Sequence, residues 1–104
     1  MALRDPLTND QVSDWLRRSD GWSGSTAGIS KTFAVGYDDA IQIVTEVGAA
    51  AIELEHRPDI DIRWDRLSFA MTTHTAGDVV TELDFILAQR IDRIAAAHGA
   101  KPVT

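Results

Sequence analysis

Residues 56–74 read HRPDIDIRWDRLSFAMTTH and contain two runs in which apolar residues occupy every second position. The first run extends from Ile60 to Trp64, and the second extends from Leu67 to His74. Alternation with a period of two is typical of a β-strand with one buried face, and two such runs joined by a tight turn predict an antiparallel hairpin. The apolar face of this hairpin would carry Ile60, Ile62, Trp64, Leu67, Phe69, Met71 and Thr73.

The segment before this hairpin gives the strongest helical signal in the chain. From Tyr37 to Glu55, apolar residues recur at spacings of three and four, which predicts a helix that packs one face on a sheet. Pro58 disfavours a helical conformation for the residue before it, so the helix should end near His56 and leave that side chain at its C-terminal end. The predicted inner stripe consists of Ala40, Val44, Val47, Ala51 and Leu54.

A second pair of strands is predicted before this helix. Trp22 to Ser25 and Ile29 to Val35 are short runs around a turn at Thr26-Ala27-Gly28, which favours a hairpin. A short helix from Asp10 to Arg18, capped by Thr8, should precede the hairpin.

The last helix is predicted to open at Thr81, with Asp84 three residues later completing a capping pattern. The tail from Gly99 should fray. The inner stripe of this helix would be formed by Leu83, Leu87, Ile91 and Ile94.

The order of elements is therefore α-β-β-α-β-β-α. Short turns imply antiparallel pairing, and apolar faces on both hairpins require the helices to lie together on one side of the sheet. The sequence thus predicts an α+β fold, with a four-stranded antiparallel sheet and three helices packed on one face. Ser68, Ala70 and Thr72 would lie on the other face, where their small side chains leave room for a ligand or another subunit.

Composition limits the range of functions. At 104 residues with 44% apolar residues, the chain should form a single domain over residues 1–104. The absence of cysteine excludes a disulfide framework and a Cys-based zinc site. A formal charge of −6 disfavours binding to nucleic acid and to anionic lipid. No apolar run is long enough for a membrane span or a signal peptide, so a cytoplasmic protein is expected.

The residues that point to chemistry surround the central hairpin, and they are His56, Arg57, Pro58, Trp64, His74 and Asp84. Their pattern resembles the pterin-4a-carbinolamine dehydratase family. The motif of that family is a His-His-Pro, an aromatic residue shortly after it, a further His at the end of the next strand, and then an Asp. The resemblance extends over nearly the whole chain. One position departs from it, because Arg57 stands where the family has its second His.

The resemblance implies a reaction, in which water is removed from 4a-hydroxytetrahydropterin to give quinonoid dihydropterin without a metal or an organic cofactor. It places His56, His74 and Asp84 at the catalytic positions. Imidazole suits this chemistry, because a pKa of about 6.5 lets one ring donate a proton and another accept one near neutral pH. The substrate-binding positions that the resemblance implies are Arg57, Pro58, Trp64, Thr72 and Thr73. It also implies a homodimer or a homotetramer.

Other interpretations stay open. Trp64 fits a core aromatic of its strand equally well, and Asp84 fits a helix cap. Arg57 stays protonated at physiological pH and cannot exchange protons as a His would. The alternative function is therefore a catalytically weak or inactive relative that serves as a binding module, such as a dimerisation cofactor or a carboxylase assembly chaperone. A weaker hypothesis is a metal site formed by Glu53, Glu55, His56 and His74.

Overall fold

The computed structural model describes residues 3–103, and its elements follow the predicted order α-β-β-α-β-β-α, with one further strand at the end. The helices are α1 (Asn9–Arg17), α2 (Tyr37–Leu54) and α3 (Glu82–Ala97). The strands are β1 (Ser23–Ser25), β2 (Gly28–Ala34), β3 (Asp59–Arg63), β4 (Arg66–Met71) and β5 (Lys101–Pro102). No helix in residues 3–103 combines the length and the apolar character that crossing a membrane would require.

The strands form one antiparallel sheet in the order β1-β2-β4-β3. Its centre is the pairing of β2 with β4, in which Ile29 lies opposite Met71 and Phe33 lies opposite Leu67. The α+β class and the antiparallel sheet are therefore confirmed.

The sheet has one strand more than the four predicted, because β5 pairs with the end of β2. Strand β1 covers only the first residues of β2, which leaves backbone groups unpaired near Phe33 and Ala34. These groups bind Lys101 and Pro102, and the amide of Val103 donates to the carbonyl of Thr32 at 3.0 Å. The expectation of a fraying tail from Gly99 is thus wrong for this segment.

The two faces of the sheet differ in character, as the alternation predicts. The face covered by the helices carries Ile29, Lys31, Phe33, Leu67, Phe69 and Met71, all of which are buried. Each large apolar side chain buried there stabilises the fold by roughly 1.5–3 kcal/mol. The uncovered face carries small and hydroxyl side chains, and Thr32 and Ser68 hydrogen-bond across it at 2.8 Å between their oxygen atoms.

The inner face of α2 is rotated relative to the prediction. Its buried residues are Ala40, Ile43, Val47, Ala50 and Ala51. Val44 and Leu54, which the predicted stripe included, are only half-buried. The run of alanines from 49 to 51 offers apolar residues at consecutive positions, so periodicity alone did not fix the rotation. In α3 the predicted Leu83, Leu87 and Ile91 are buried, while Ile94 is half-buried.

The first strand of the central hairpin is more exposed than predicted. The exposed fraction of the residue surface is 38% for Ile60 and 81% for Trp64, so the interpretation of Trp64 as a core aromatic is wrong. Strand β3 lies at the edge of the sheet, and Trp64 occupies the turn beyond it. The helices do not extend over that corner.

Candidate active site

The end of α2 positions His56. Glu55 adopts the left-handed conformation, with φ of 53°, and this reverses the chain direction after the last helical residue. The amide of His56 then donates to the carbonyl of Ala51 at 2.9 Å, as in the common hydrogen-bonded helix ending. A left-handed backbone conformation at a non-glycine residue lowers the stability of the fold by roughly 1–3 kcal/mol. Glu55 has this conformation at the rim of the candidate site.

The side chain of His56 is buried against the start of α3. Its Nε2 lies 2.5 Å from Oδ1 of Asp84, whose side chain is fully buried. An ionised carboxylate can only accept, so Nε2 carries the proton and Nδ1 is the nitrogen that Asp84 leaves unengaged. The carboxylate therefore fixes both the orientation and the tautomer of the ring.

Two further groups hold Asp84 through its other oxygen. Oδ2 accepts from the hydroxyl of Thr73 at 2.9 Å and from the backbone amide of Thr81 at 2.9 Å. The hydroxyls of Thr73 and Thr81 also lie 2.7 Å apart. Because Asp84 is in the first turn of α3, the positive end of the helix dipole favours its negative charge. The predicted capping role of Asp84 and its contact with the candidate catalytic His56 thus coexist.

His74 lies in a different environment. It begins the 3-10 turn His74–Ala76 instead of ending β4, and 71% of its side chain is exposed. Its Nδ1 lies 2.6 Å from Oδ1 of Asp78, and this hydrogen bond raises the pKa of His74 above its ordinary value of 6.5. Asp78 is placed for the contact by a tight loop in which its amide donates to the carbonyl of Thr73 at 3.2 Å.

A cavity of about 170 Å³ brings several predicted residues together. His56, Arg57, Thr73 and His74 all line it. The rest of its wall is formed by Arg4, Glu55 and Thr75. Asp84 lies behind His56, so it acts on the cavity through that ring.

Three predicted site residues lie elsewhere. Pro58 follows the cavity wall and leads into β3 without lining the cavity. Trp64 follows the far end of β3. It is five residues after Asp59, the first residue of that strand, which at about 3.3 Å per residue is some 16 Å along the chain. Thr72 lines a separate cavity of about 290 Å³ on the uncovered face of the sheet, because neighbouring strand residues point to opposite faces. Its Oγ1 is buried and has no hydrogen-bond partner within residues 3–103.

Three residues at the site were missed from the sequence, and one of them is Thr75, which lines the cavity directly after His74. Asp78 is four residues after His74, a spacing that could have suggested a pair, but the intervening loop showed no helical pattern. Arg4 reaches the cavity from the other end of the chain, and no local pattern signals that approach.

The metal hypothesis gains no support. Within residues 3–103, no group of three or more His, Asp or Glu side chains is arranged to hold a metal ion. Glu53 instead lies 3.6 Å from Arg90.

Comparison with known proteins decides the family. Residues 5–94 match the sequence model of a family described as pterin 4 alpha carbinolamine dehydratase. This chain belongs to that family. A relative from Herpetosiphon aurantiacus, named "Putative pterin-4-alpha-carbinolamine dehydratase", is 42% identical over 92 residues, covering 88% of this chain and 95% of its own.

Solved structures of pterin dehydratases have the same fold. A crystal structure from Brucella melitensis, described as a transcriptional coactivator/pterin dehydratase, superposes with a TM-score of 0.82 at 26% identity, covering 88% of this chain and 99% of that one. A pterin dehydratase-like protein described as a RuBisCO assembly factor in the alpha-carboxysome gives a TM-score of 0.57 at 22% identity, covering 71% of this chain and 86% of that one. The second likeness shows the fold alone.

Proposed function

We propose that this chain is a hydro-lyase that dehydrates 4a-hydroxytetrahydropterin to quinonoid dihydropterin. The observation that supports it is the convergence of His56 and His74 on one cavity, with His56 held by the buried carboxylate of Asp84. In the reaction the C4a–O bond breaks, and the hydroxyl takes a proton and leaves as water. N5 loses its proton, and a C4a–N5 double bond forms. One acid and one base therefore suffice.

The two histidines are suited to different roles. Asp78 raises the pKa of His74, so this ring is more often protonated near neutral pH and can donate to the leaving hydroxyl. Asp84 stabilises the imidazolium that forms when His56 accepts the N5 proton, as a carboxylate does for the His of a catalytic triad. We therefore assign His74 as the acid and His56 as the base.

The remaining wall of the cavity would bind the substrate. Arg57 is exposed and has no hydrogen-bond partner within residues 3–103, so its guanidinium is available to a ligand. Thr73 joins the cavity wall to Asp84 and keeps that carboxylate in place. Pro58 directs the chain from His56 into β3. Trp64 and Thr72 lie away from this cavity, and we leave them out of the proposed site.

The size of the cavity limits how a substrate would sit. At about 170 Å³ it is smaller than the roughly 300–1,000 Å³ of pockets that enclose a drug-sized ligand. A pterin would therefore place its reacting edge between the histidines and leave its side chain near the rim.

A dehydration assay tests the proposal. The carbinolamine is generated enzymatically by a tetrahydropterin-dependent aromatic hydroxylase, and the absorbance of quinonoid dihydropterin is followed with and without the purified chain. A rate that rises in proportion to the protein concentration supports the proposal. A rate equal to spontaneous dehydration at every concentration contradicts it.

A second candidate function is a dehydratase-like binding or assembly module without significant turnover. Arg57 favours this candidate, because a guanidinium cannot replace the proton exchange of the motif's second His. The same assay separates the two candidates, since a pure binding module would leave the spontaneous rate unchanged.

A further inference from the structure

The segment from Leu3 to Leu7 is fixed against the start of α3. The amide of Leu83 donates to the carbonyl of Leu3 at 3.3 Å, and the amide of Leu7 donates to the carbonyl of Val80 at 3.0 Å. These contacts lie on either side of Arg4 and direct its side chain across to the end of α2.

Arg4 is held at the cavity by a hydrogen bond. Its Nη2 donates to the carbonyl of Glu55 at 2.8 Å, which satisfies a carbonyl that the end of α2 leaves unpaired. A guanidinium has five N–H donors in a fixed plane, so this contact positions the group and leaves most of its donors for a ligand. Arg4 lines the same cavity as His56 and Arg57.

Two guanidinium groups line this cavity in an otherwise acidic protein. Its wall carries two guanidinium groups, Arg4 and Arg57, against one carboxylate, that of Glu55, while the whole chain has a formal charge of −6. Three other carboxylates act on the histidines: Asp84 binds His56, Asp78 binds His74, and Asp59 acts on His74 through its charge. Guanidinium groups at a cleft attract anions into it.

Resting on the proposed function, we infer that Arg4 and Arg57 bind an anionic group on the side chain of the substrate. Guanidinium groups suit carboxylate and phosphate, which they bind through two parallel hydrogen bonds. The tetrahydropterin ring carries no anionic group at neutral pH, so the anion must be on the side chain. The substrate class is then a pterin with a carboxylate or a phosphate on that side chain.

Binding of three pterins by the full-length chain at pH 7 tests this inference, with pterin fluorescence as the signal. The probes are 6-hydroxymethylpterin, its monophosphate and 6-carboxypterin, which differ chiefly in the charge of the side chain. At least one anionic probe should bind roughly tenfold or more tightly than the neutral one, the scale of one charge-assisted hydrogen bond. Which anionic probe binds better distinguishes phosphate from carboxylate.

Variants show whether the two arginines cause the preference. Arg4→Gln and Arg57→Gln should each remove most of the difference between anionic and neutral probes, and Arg4→Lys, which keeps the charge, should retain part of it. Arg93→Gln is the control, because Arg93 is exposed on α3 about 13 Å along the helix from Asp84. This change removes the same charge and should leave the preference intact.

The outcomes separate this inference from the proposed function. Equal affinity of the native chain for all three probes overturns the inference and leaves the dehydratase proposal standing. A purely structural role of Arg4 at the Glu55 carbonyl would make Arg4→Gln weaken every probe by the same factor, which also overturns the inference. Failure of all three probes to bind contradicts both.

Discussion

Nε2 of His56 lies 2.5 Å from Oδ1 of Asp84, and this contact joins the end of α2 to the first turn of α3. The same carboxylate accepts the backbone amide of Thr81 and so caps α3. The side chain of Asp84 therefore orients the candidate catalytic ring of His56 and also stabilises α3, the helix to which Asp84 belongs.

We expect Asp84→Asn to lower both turnover and stability. The amide keeps the shape of the side chain, but it no longer provides the negative charge that favours an imidazolium at His56, so turnover should fall about a hundredfold or more. The altered cap should lower the free energy of unfolding by about 1 kcal/mol. Steady-state kinetics and urea denaturation measure the two effects. Thr8→Ala, which removes the cap of α1, is the control and should lower stability without lowering turnover.

Replacing either candidate proton-transfer residue should reduce turnover while preserving the fold. His56→Gln and His74→Gln should each lower turnover about a hundredfold or more, because glutamine cannot exchange protons. Glutamine at position 56 can still donate to Asp84, which avoids leaving a buried carboxylate without this partner. His98→Gln is the matched control, since His98 lies at the far end of α3. Unchanged turnover with an intact circular dichroism spectrum would remove that histidine from the mechanism.

The pair of His74 and Asp78 should produce a defined pH dependence. Because the pKa of His74 is raised in the folded state, the pair stabilises the fold fully below pH 6.5, and this contribution is lost as the pH rises through the raised pKa. Asp78→Asn should lower the pKa of His74 towards 6.5, as measured by an NMR titration of its ring protons. If His74 is the acid, the alkaline limb of the rate profile should move to lower pH in the same variant.

Arg57→His tests whether the departure from the family motif limits catalysis. A new imidazole could exchange a proton that guanidinium cannot, so turnover of a pterin with a neutral side chain should increase, while binding of pterins with an anionic side chain should weaken. The assay compares this variant with Arg57→Gln, which removes the charge without adding a titratable ring. High activity in the native chain that falls in Arg57→His would mean that the arginine is an adaptation and not a defect.

We also expect the chain to self-associate. The uncovered face of the sheet carries Ser30, Ser68 and Ala70 beside a cavity of about 330 Å³, and β3 presents an open edge. A two-fold contact would cover either surface, and closed two-fold symmetry is the commonest arrangement of soluble oligomers. Light scattering coupled to size exclusion at micromolar concentration should give a dimer or a tetramer. A mass near 11.4 kDa would exclude a stable dimer. Ala70→Arg should break an assembly that packs through the face and spare one that pairs edges.

The regular elements could be predicted because their periodicities are local. The sequence could not reveal β5, since the two residues Lys101 and Pro102 are too few to show alternation and pair only where β1 leaves β2 uncovered. It also could not show the exposure of Trp64, because alternation identifies the face of a strand but not how far the helices extend over that face.

The catalytic roles of His56, His74 and Asp84 came from the resemblance and stay a prediction. The structure adds the contact of His56 with Asp84, which no sequence pattern had indicated. Thr72 and Thr73 could not be separated, because which of two neighbouring residues faces a cavity depends on the exact end of β4. Arg4 depends on backbone contacts between segments that are distant in sequence, and such contacts leave no local pattern.

The pairing of β2 with β4 at the centre of the sheet has a consequence for folding kinetics. Each hairpin can form from neighbouring residues, but the two strands at the centre are separated in sequence by the whole of α2 and β3. Bringing the two strands together lowers the entropy of the long segment between them before any stabilising contact between the strands has formed. Non-local pairing of this kind slows folding. The slow step should therefore be the docking of the two hairpins. Because β4 leads directly into Thr73 and His74, and α2 leads directly into His56, that same step assembles the candidate active site.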